Sequence, residues 1–311
     1  MKTQEIRPEL RKAISRVPRL PFHRPTLLPI SRLLFNTVTK TKAEAGVRVW
    51  EERDNGVRMR VIAPEQGATQ GRALLWLHGG GHIAGRPNQL DDVASVFAKK
   101  LGAVVIAPYY RLAPKHPFPA DLDDCFAAWQ WLLVNAKTLG VNPERIAVVG
   151  NSAGGGLAAS LVQRIADIGA TQPAAQVLFY PMLDDRTAVD ESETPKNHFI
   201  WNNLANHRAW SVYLAPYRPG DRELPAYAAA GRRTDLSGLP PAWLGVGGID
   251  LFCAEGRAYA QNLKLSGVPC ELHFVEGAPH VFEVMVPDVE VSKNFLCSAC
   301  EFLETELPRN S

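Results

Sequence analysis

The stretch Ile146-Ala147-Val148-Val149-Gly150-Asn151-Ser152-Ala153-Gly154-Gly155-Gly156-Leu157-Ala158-Ala159 decides how the rest of this 311-residue chain is read. Its first four residues form a short β-branched apolar run of the kind that fills a buried parallel strand. Its last residues are rich in Ala and open a helix. Between them a serine stands in the spacing G-x-S-x-G, where small neighbours let the backbone turn sharply from strand to helix and push the hydroxyl outward. A chain of this Gly and Ser content shows that spacing by chance about 0.07 times, so the pattern needs partners elsewhere.

Working outward, similar apolar runs recur at 73–77, 103–107, 177–180, 243–246 and 272–275. Helical stretches alternate with them at 91–100, 121–136, 153–168, 253–265 and 291–306. Strand then helix, repeated, predicts a mostly parallel central sheet covered by helices on both faces, an α/β fold. Ahead of this series, 47–50 and 57–61 alternate apolar and polar residues around Asp54-Asn55-Gly56, which predicts an antiparallel pair at a sheet edge. About 60 residues separate the strand ending near Pro181 from the one beginning near Ala242, more than a crossover requires. They carry Phe199, Trp201, Leu204, Trp210 and Tyr213, expected on one helix. Such an insertion can roof a pocket, with Phe199 and Trp201 as lining residues, or pack only its own core.

The bulk numbers narrow the function classes. With 46% hydrophobic and 21% charged residues the chain reads as a soluble globular protein, and a net charge of +2 gives no reason to expect nucleic acid. The charge is uneven, because residues 1–42 hold ten Lys and Arg against two Glu. Within them, Ile6, Leu10, Ala13, Ile14 and Val17 share one helical face across 6–17. That face packs on its own domain or rests on a membrane surface, and it lacks the Trp or Phe usual in membrane anchors. Prolines 18, 21, 25 and 29 break the chain into turns before the apolar Leu33-Leu34-Phe35. Five cysteines in a chain this long form no disulfide framework, and Cys297 with Cys300 sits in a helix as inert thiols. No apolar run approaches bilayer length and no signal-peptide core follows the N-terminus, so a cytoplasmic protein is expected.

Nucleophilic chemistry at a serine needs a base, an acid that orients the base, and donors for the developing oxyanion. Donors are offered by His78-Gly79-Gly80-Gly81 after the strand 73–77, where glycines free the backbone to aim its N–H groups. An acid, Asp250, follows the strand 243–246, although it is equally placed to cap the next helix. A base, His280, lies in a short loop after the strand 272–275. The order Ser152, Asp250, His280 is the chain order of serine hydrolases on an α/β sheet. His82, just after the glycines, is expected to line the pocket without transferring a proton.

Taken together, these residues resemble the hormone-sensitive-lipase-like family of carboxylesterases, within the α/β-hydrolase fold. The resemblance runs from about Ala73 to Phe282. It rests on His78 to Gly81, on Tyr110-Arg111-Leu112-Ala113-Pro114 with Phe118-Pro119-Ala120, on Gly150 to Gly155, on Asp250-Leu251-Phe252 with Glu255-Gly256, and on the loop of His280. It implies Ser152 as nucleophile, His280 as base and then acid, and Asp250 as its orienter. The oxyanion hole would be the N–H groups of Gly80, Gly81 and Ala153. A helical cap would form from residues 1–45 and an insertion at about 186–235 in the hydrolase domain 46–311. The resemblance implies an ester of short to medium acyl chain as the small-molecule substrate, with no metal or cofactor. A homodimer would also be consistent with it. Asn151, Leu251 and Ala254 depart from the family pattern, where Asp, Pro and Asp are usual. An amidase or deacetylase with the same triad, a non-catalytic ligand receptor on this scaffold, and a lipase using the basic N-terminal helix at a membrane surface stay open as alternatives. Tyr110, Arg111, Asp123, Asp124, Asp184 and Asp185 are read as caps and ion pairs.

Overall fold

The computed structural model describes residues 1–17 and 20–308, so that Pro18, one of the expected chain breakers, lies outside the described residues. In chain order the elements are α1 (Pro8–Ile14), α2 (Leu28–Val38), β1 (Val47–Asp54), β2 (Val57–Pro64), β3 (Arg72–Leu77), α3 (Asp91–Leu101), β4 (Ala103–Pro108) and α4 (Ala120–Asn135). They continue with β5 (Ile146–Asn151), α5 (Ala153–Asp167), β6 (Ala175–Phe179), α6 (Asn203–Tyr213), β7 (Ala242–Gly247), α7 (Cys253–Leu265), β8 (Cys270–Val275), α8 (Phe282–Met285) and α9 (Glu290–Glu306). The eight strands form one sheet in the order β1-β2-β4-β3-β5-β6-β7-β8. β1 pairs antiparallel with β2 and β2 with β4, while every other pairing is parallel. This is the α/β architecture the alternation predicts.

Strands β3, β4, β6 and β7 are buried along their whole length. That is why their sequences read as continuous apolar runs and not as alternating ones. On one face α4, α5 and α7 bring Trp129, Leu161 and Leu263 onto the sheet. On the other, α3 and α9 bring Phe97, Phe295 and Leu303. Helix α1 joins this second layer through Leu10 and Ile14, with Ile6 just ahead of it, all three buried. It is shorter than the 6–17 expected, because Pro8 supplies the fixed φ of a helix start and the turn ends after Ile14. The apolar face that a membrane surface would need is thus already used by the domain. No helix among the described residues is long and apolar enough to cross a membrane.

A third cluster lies above the carboxyl ends of the strands and joins the N-terminal segment to the insertion. Phe22 and Leu28 pack there with Trp201, Trp210 and Tyr213, and beneath them lie Ile83, Ala153 and Phe252. Phe199 and Trp201 precede α6 and do not belong to it, since Asn202 caps that helix by accepting from the N–H of Ala205 at 3.1 Å. The single helix expected to hold all five named residues therefore holds only Leu204, Trp210 and Tyr213. The polar residues read as pairs have partners: Arg111 with Asp124 at 2.8 Å, Arg164 with Asp123 at 2.6 Å and Arg232 with Asp185 at 2.6 Å. Arg186 holds Asp184 at 2.5 Å, and the Tyr110 hydroxyl donates to the carbonyl of His78 at 2.5 Å.

Candidate active site

Register brings the site together. Leu77 lies opposite Gly150, Asn151 opposite Phe179, and Gly247 opposite Val275, so the chain leaves β3, β5, β7 and β8 at one edge of the sheet. The residues just beyond those ends are His78 to His82, Ser152, Asp250 and His280. At the elbow Ser152 takes φ 58° and ψ −123°, a conformation costly for a residue with a side chain, and its N–H is held by the carbonyl of Phe179 at 2.9 Å. The turn is possible only because Gly154 lacks a side chain: a Cβ there would meet the carbonyl oxygen of Leu77 at 2.1 Å.

The serine hydroxyl donates to Nε2 of His280 at 2.8 Å, and Nδ1–H of His280 donates to Oδ2 of Asp250 at 2.7 Å. This tautomer follows from the carboxylate, which can only accept. The other oxygen of Asp250 accepts from the N–H of Phe252 at 3.0 Å; Phe252, and not Asp250, is the N-cap residue of α7, so the capping role open to Asp250 in the sequence is not the one it takes. Ser152, Asp250 and His280 are 6%, 4% and 4% exposed, which places the relay under the third cluster and away from bulk water. Tyr180 and Phe252 press their ring edges on the imidazole, with centroids at 4.8 and 5.2 Å.

Beside the serine, the backbone N–H groups of Gly80, Gly81 and Ala153 make no hydrogen bond to any described residue. Ala153 is the first residue of α5, where the helix leaves its N–H groups open and its dipole favours negative charge. Gly81 has φ 62°, and a Cβ on it would lie 2.5 Å from Cη2 of Trp201. Trp201 therefore roofs the glycine loop, backed by Phe22 at 5.8 Å. Phe199 is half-buried and packs against the cluster on the α3 and α9 side of the sheet. His78 is stacked on Tyr110 at 4.1 Å and donates from Nδ1 to the carbonyl of Gly79 at 2.8 Å. Burial lowers its ring to about 4, so it is a neutral brace for the loop.

His82 is buried, with its Nδ1–H donating to Oδ2 of Asp121 at 2.7 Å and its ring stacked on Tyr213 at 3.9 Å. Asn151 places no charge beside the serine, and its Oδ1 is buried without a hydrogen-bond partner among the described residues. Sequence reasoning placed Asp121 and Tyr213 only within helices and did not bring them to His82, and it passed over Tyr180 and Glu283. The Tyr180 hydroxyl donates to Oε1 of Glu283, and burial pushes that carboxyl up to about 7. A lone acid inside the apolar run Val281-Phe282-Glu283-Val284-Met285 was the available signal.

The site can be set against known proteins. Residues 74–284 match a family described as alpha/beta hydrolase fold. Carboxylesterase NlhH of Mycobacterium tuberculosis is 38% identical over 204 residues, 64% of this chain and 62% of that protein. The match to this relative thus spans about three fifths of its length. Among solved structures, a bacterial heroin esterase superposes with a TM-score of 0.90 at 33% identity, covering 99% of this chain and 100% of the other. An esterase from the bacterial hormone-sensitive lipase family superposes with a TM-score of 0.82 at 30% identity, covering 97% and 99%.

Proposed function

Because this chain belongs to the alpha/beta hydrolase fold family, we propose that it is a carboxylesterase in which Ser152, His280 and Asp250 are the reacting triad. The observation that carries the reading is the continuous relay from Ser152 through His280 to Asp250, at 2.8 and 2.7 Å, beside three unengaged N–H groups. Ser152 Oγ attacks the ester carbonyl while His280 Nε2 takes its proton. The carbonyl oxygen becomes an oxyanion held by Gly80, Gly81 and Ala153. Asp250 keeps the imidazole in the tautomer that accepts at Nε2 and stabilises the imidazolium. His280 then protonates the leaving alcohol, and water repeats the sequence on the acyl-enzyme to release the acid.

The cap in this reading is the N-terminal segment with the insertion at about 186–235. Trp201 over Gly81 supports it, as do the bonds that Arg32 donates to the carbonyls of Ile83 and Ala113, which fasten α2 to the oxyanion loop. Within the same segment α1 docks elsewhere, its entrance tied to the histidine loop by the N–H of Arg7 on the carbonyl of Gly277 at 2.9 Å. The acyl chain in this reading is short to medium, the range that the family resemblance implies. Five free cysteines suit a cytoplasmic location. The open edge of β8, carrying Phe274 at 46% exposure, is a surface for a homodimer.

The test is hydrolysis of p-nitrophenyl esters of increasing chain length, with labelling by a fluorophosphonate. The wild type is expected to turn over the butyrate and to carry the label on Ser152. An unlabelled, inactive wild type would point to a ligand receptor, and faster turnover of matched amides would point to an amidase.

A further inference from the structure

Close to His280 lies a carboxyl that the proposed reaction does not use. Glu283 is 5% exposed and sits in α8, three residues after the histidine. Its Oε1 accepts from the Tyr180 hydroxyl, and its Oε2 is buried with no hydrogen-bond partner among the described residues. Tyr180 in turn rests its ring edge on the imidazole of His280, with centroids 4.8 Å apart. Tyr180 stands just beyond β6 at φ 35°, a left-handed backbone that a bulky residue adopts only when its surroundings impose it. Its N–H is fixed by the carbonyl of Gly245 at 2.7 Å. The residue is therefore held where its ring meets the histidine and its hydroxyl meets the acid.

We propose that Tyr180 and Glu283 are positioning residues for His280, the tyrosine fixing the ring and the glutamate supplying a charge that strengthens the histidine as a base. The inference rests on the triad reading above. An ionised Oε2 in that apolar surrounding lacks the solvation a carboxylate needs, so burial raises the group to about 7. The Tyr180 donor and a positive His280 favour the ionised form, and the negative Asp250 opposes it. Helices α1 and α9 pack on the same short helix and bring the apolar Leu10 and Phe295 to that cluster. Tyr180, His280 and Asp250 are thus the titratable groups that act on the carboxyl among the described residues.

The sign follows. Above pH 7 Glu283 is ionised, favours the imidazolium that forms as Ser152 gives up its proton, and raises the affinity of His280 for that proton. Below it the carboxyl is neutral and this help is absent. Glu283→Gln keeps the acceptor for Tyr180 and removes the charge. Its kcat/KM on p-nitrophenyl butyrate is expected to fall about three- to tenfold at pH 8.5, through kcat and not KM, and less than about twofold at pH 6. Tyr180→Phe, which removes the donor that favours ionisation, gives a loss in the same direction and serves if the first variant does not fold.

Stoichiometric fluorophosphonate labelling and the melting temperature establish that each variant is intact. A ratio of variant to wild type that is flat across pH overturns the inference. Ser152→Ala, measured in parallel, separates the two readings. If it stays active the triad reading falls and this inference with it, whereas an inactive Ser152→Ala with a flat Glu283→Gln ratio removes this inference alone.

Discussion

Two buried histidine–aspartate pairs occupy this site, and they are built alike. His280 donates from Nδ1 to Asp250 at 2.7 Å, and His82 donates from Nδ1 to Asp121 at the same distance. In each pair the second carboxylate oxygen accepts a backbone N–H at a helix entrance, that of Phe252 for Asp250 and of Leu122 for Asp121. The pairs differ in what the rest of the ring meets. Nε2 of His280 receives the hydroxyl of Ser152, whereas no described residue bonds Nε2 of His82, whose face is stacked on Tyr213 of α6. Geometry at one nitrogen therefore does not make a general base. The other nitrogen must face the group that loses a proton, and in the second pair the imidazole instead ties the oxyanion loop to α4 and α6.

The comparison breaks first at the serine. Ser152→Ala is expected to lower kcat on p-nitrophenyl butyrate by about 10⁶-fold while leaving the melting temperature near that of the wild type. If the variant keeps wild-type turnover, the pair at His280 is no more a relay than the pair at His82. Next is Asp250→Asn, which frees the imidazole to present the wrong tautomer to the serine. A loss of about 10⁴-fold is expected, and a loss below tenfold would remove Asp250 from the relay. Gly81→Ala forces a methyl against Trp201 and disturbs one oxyanion donor, for an expected loss of about 10²- to 10³-fold in kcat. Pairing it with Trp201→Ala, which removes the clash, should restore part of that loss.

The smallest effect on catalysis belongs to Asp121→Asn. Removing the charge from a buried hydrogen-bonded pair should cost about 1–3 kcal/mol of stability, read as a lower melting temperature, with kcat within about threefold of wild type. Equal catalytic losses in Asp121→Asn and Asp250→Asn would erase the distinction between the two pairs. Between these extremes, Glu283→Gln tests whether the first pair has a further partner that the second lacks.

How much of this was legible in the sequence depended on whether the signal was local. The strands at 73–77 and 243–246 were readable because each is an uninterrupted apolar run, and their burial on both faces explains that pattern. Ser152 and Asp250 could be named because each follows such a run, and His280 because it follows the mixed, half-exposed last strand; strand ends share one edge in a parallel sheet. Phe199 and Trp201 were assigned to the helix of Trp210, since aromatic content alone does not say where Asn202 starts it. The partner of His82 was not visible, because Asp121 is 39 residues away and reads locally as an ordinary helix-start acid. Glu283 left a trace, an acid among apolar neighbours, but its hydroxyl partner Tyr180 is 103 residues distant.

By itself the sequence determined the order of elements, the residues at the strand ends and so the candidates for the proposed triad, because each of these is set by a few neighbouring side chains. Only the tertiary structure decided which histidine faces the serine, which aromatic roofs Gly81, and which acid lies close to the imidazole. The physical reason is that a hydrogen bond or a ring contact is settled by distances of a few ångströms between segments far apart in the chain. At the elbow even the conformation is tertiary in origin, since φ 58° at Ser152 persists only where Phe179 holds its N–H and Gly154 lets α5 close against β3.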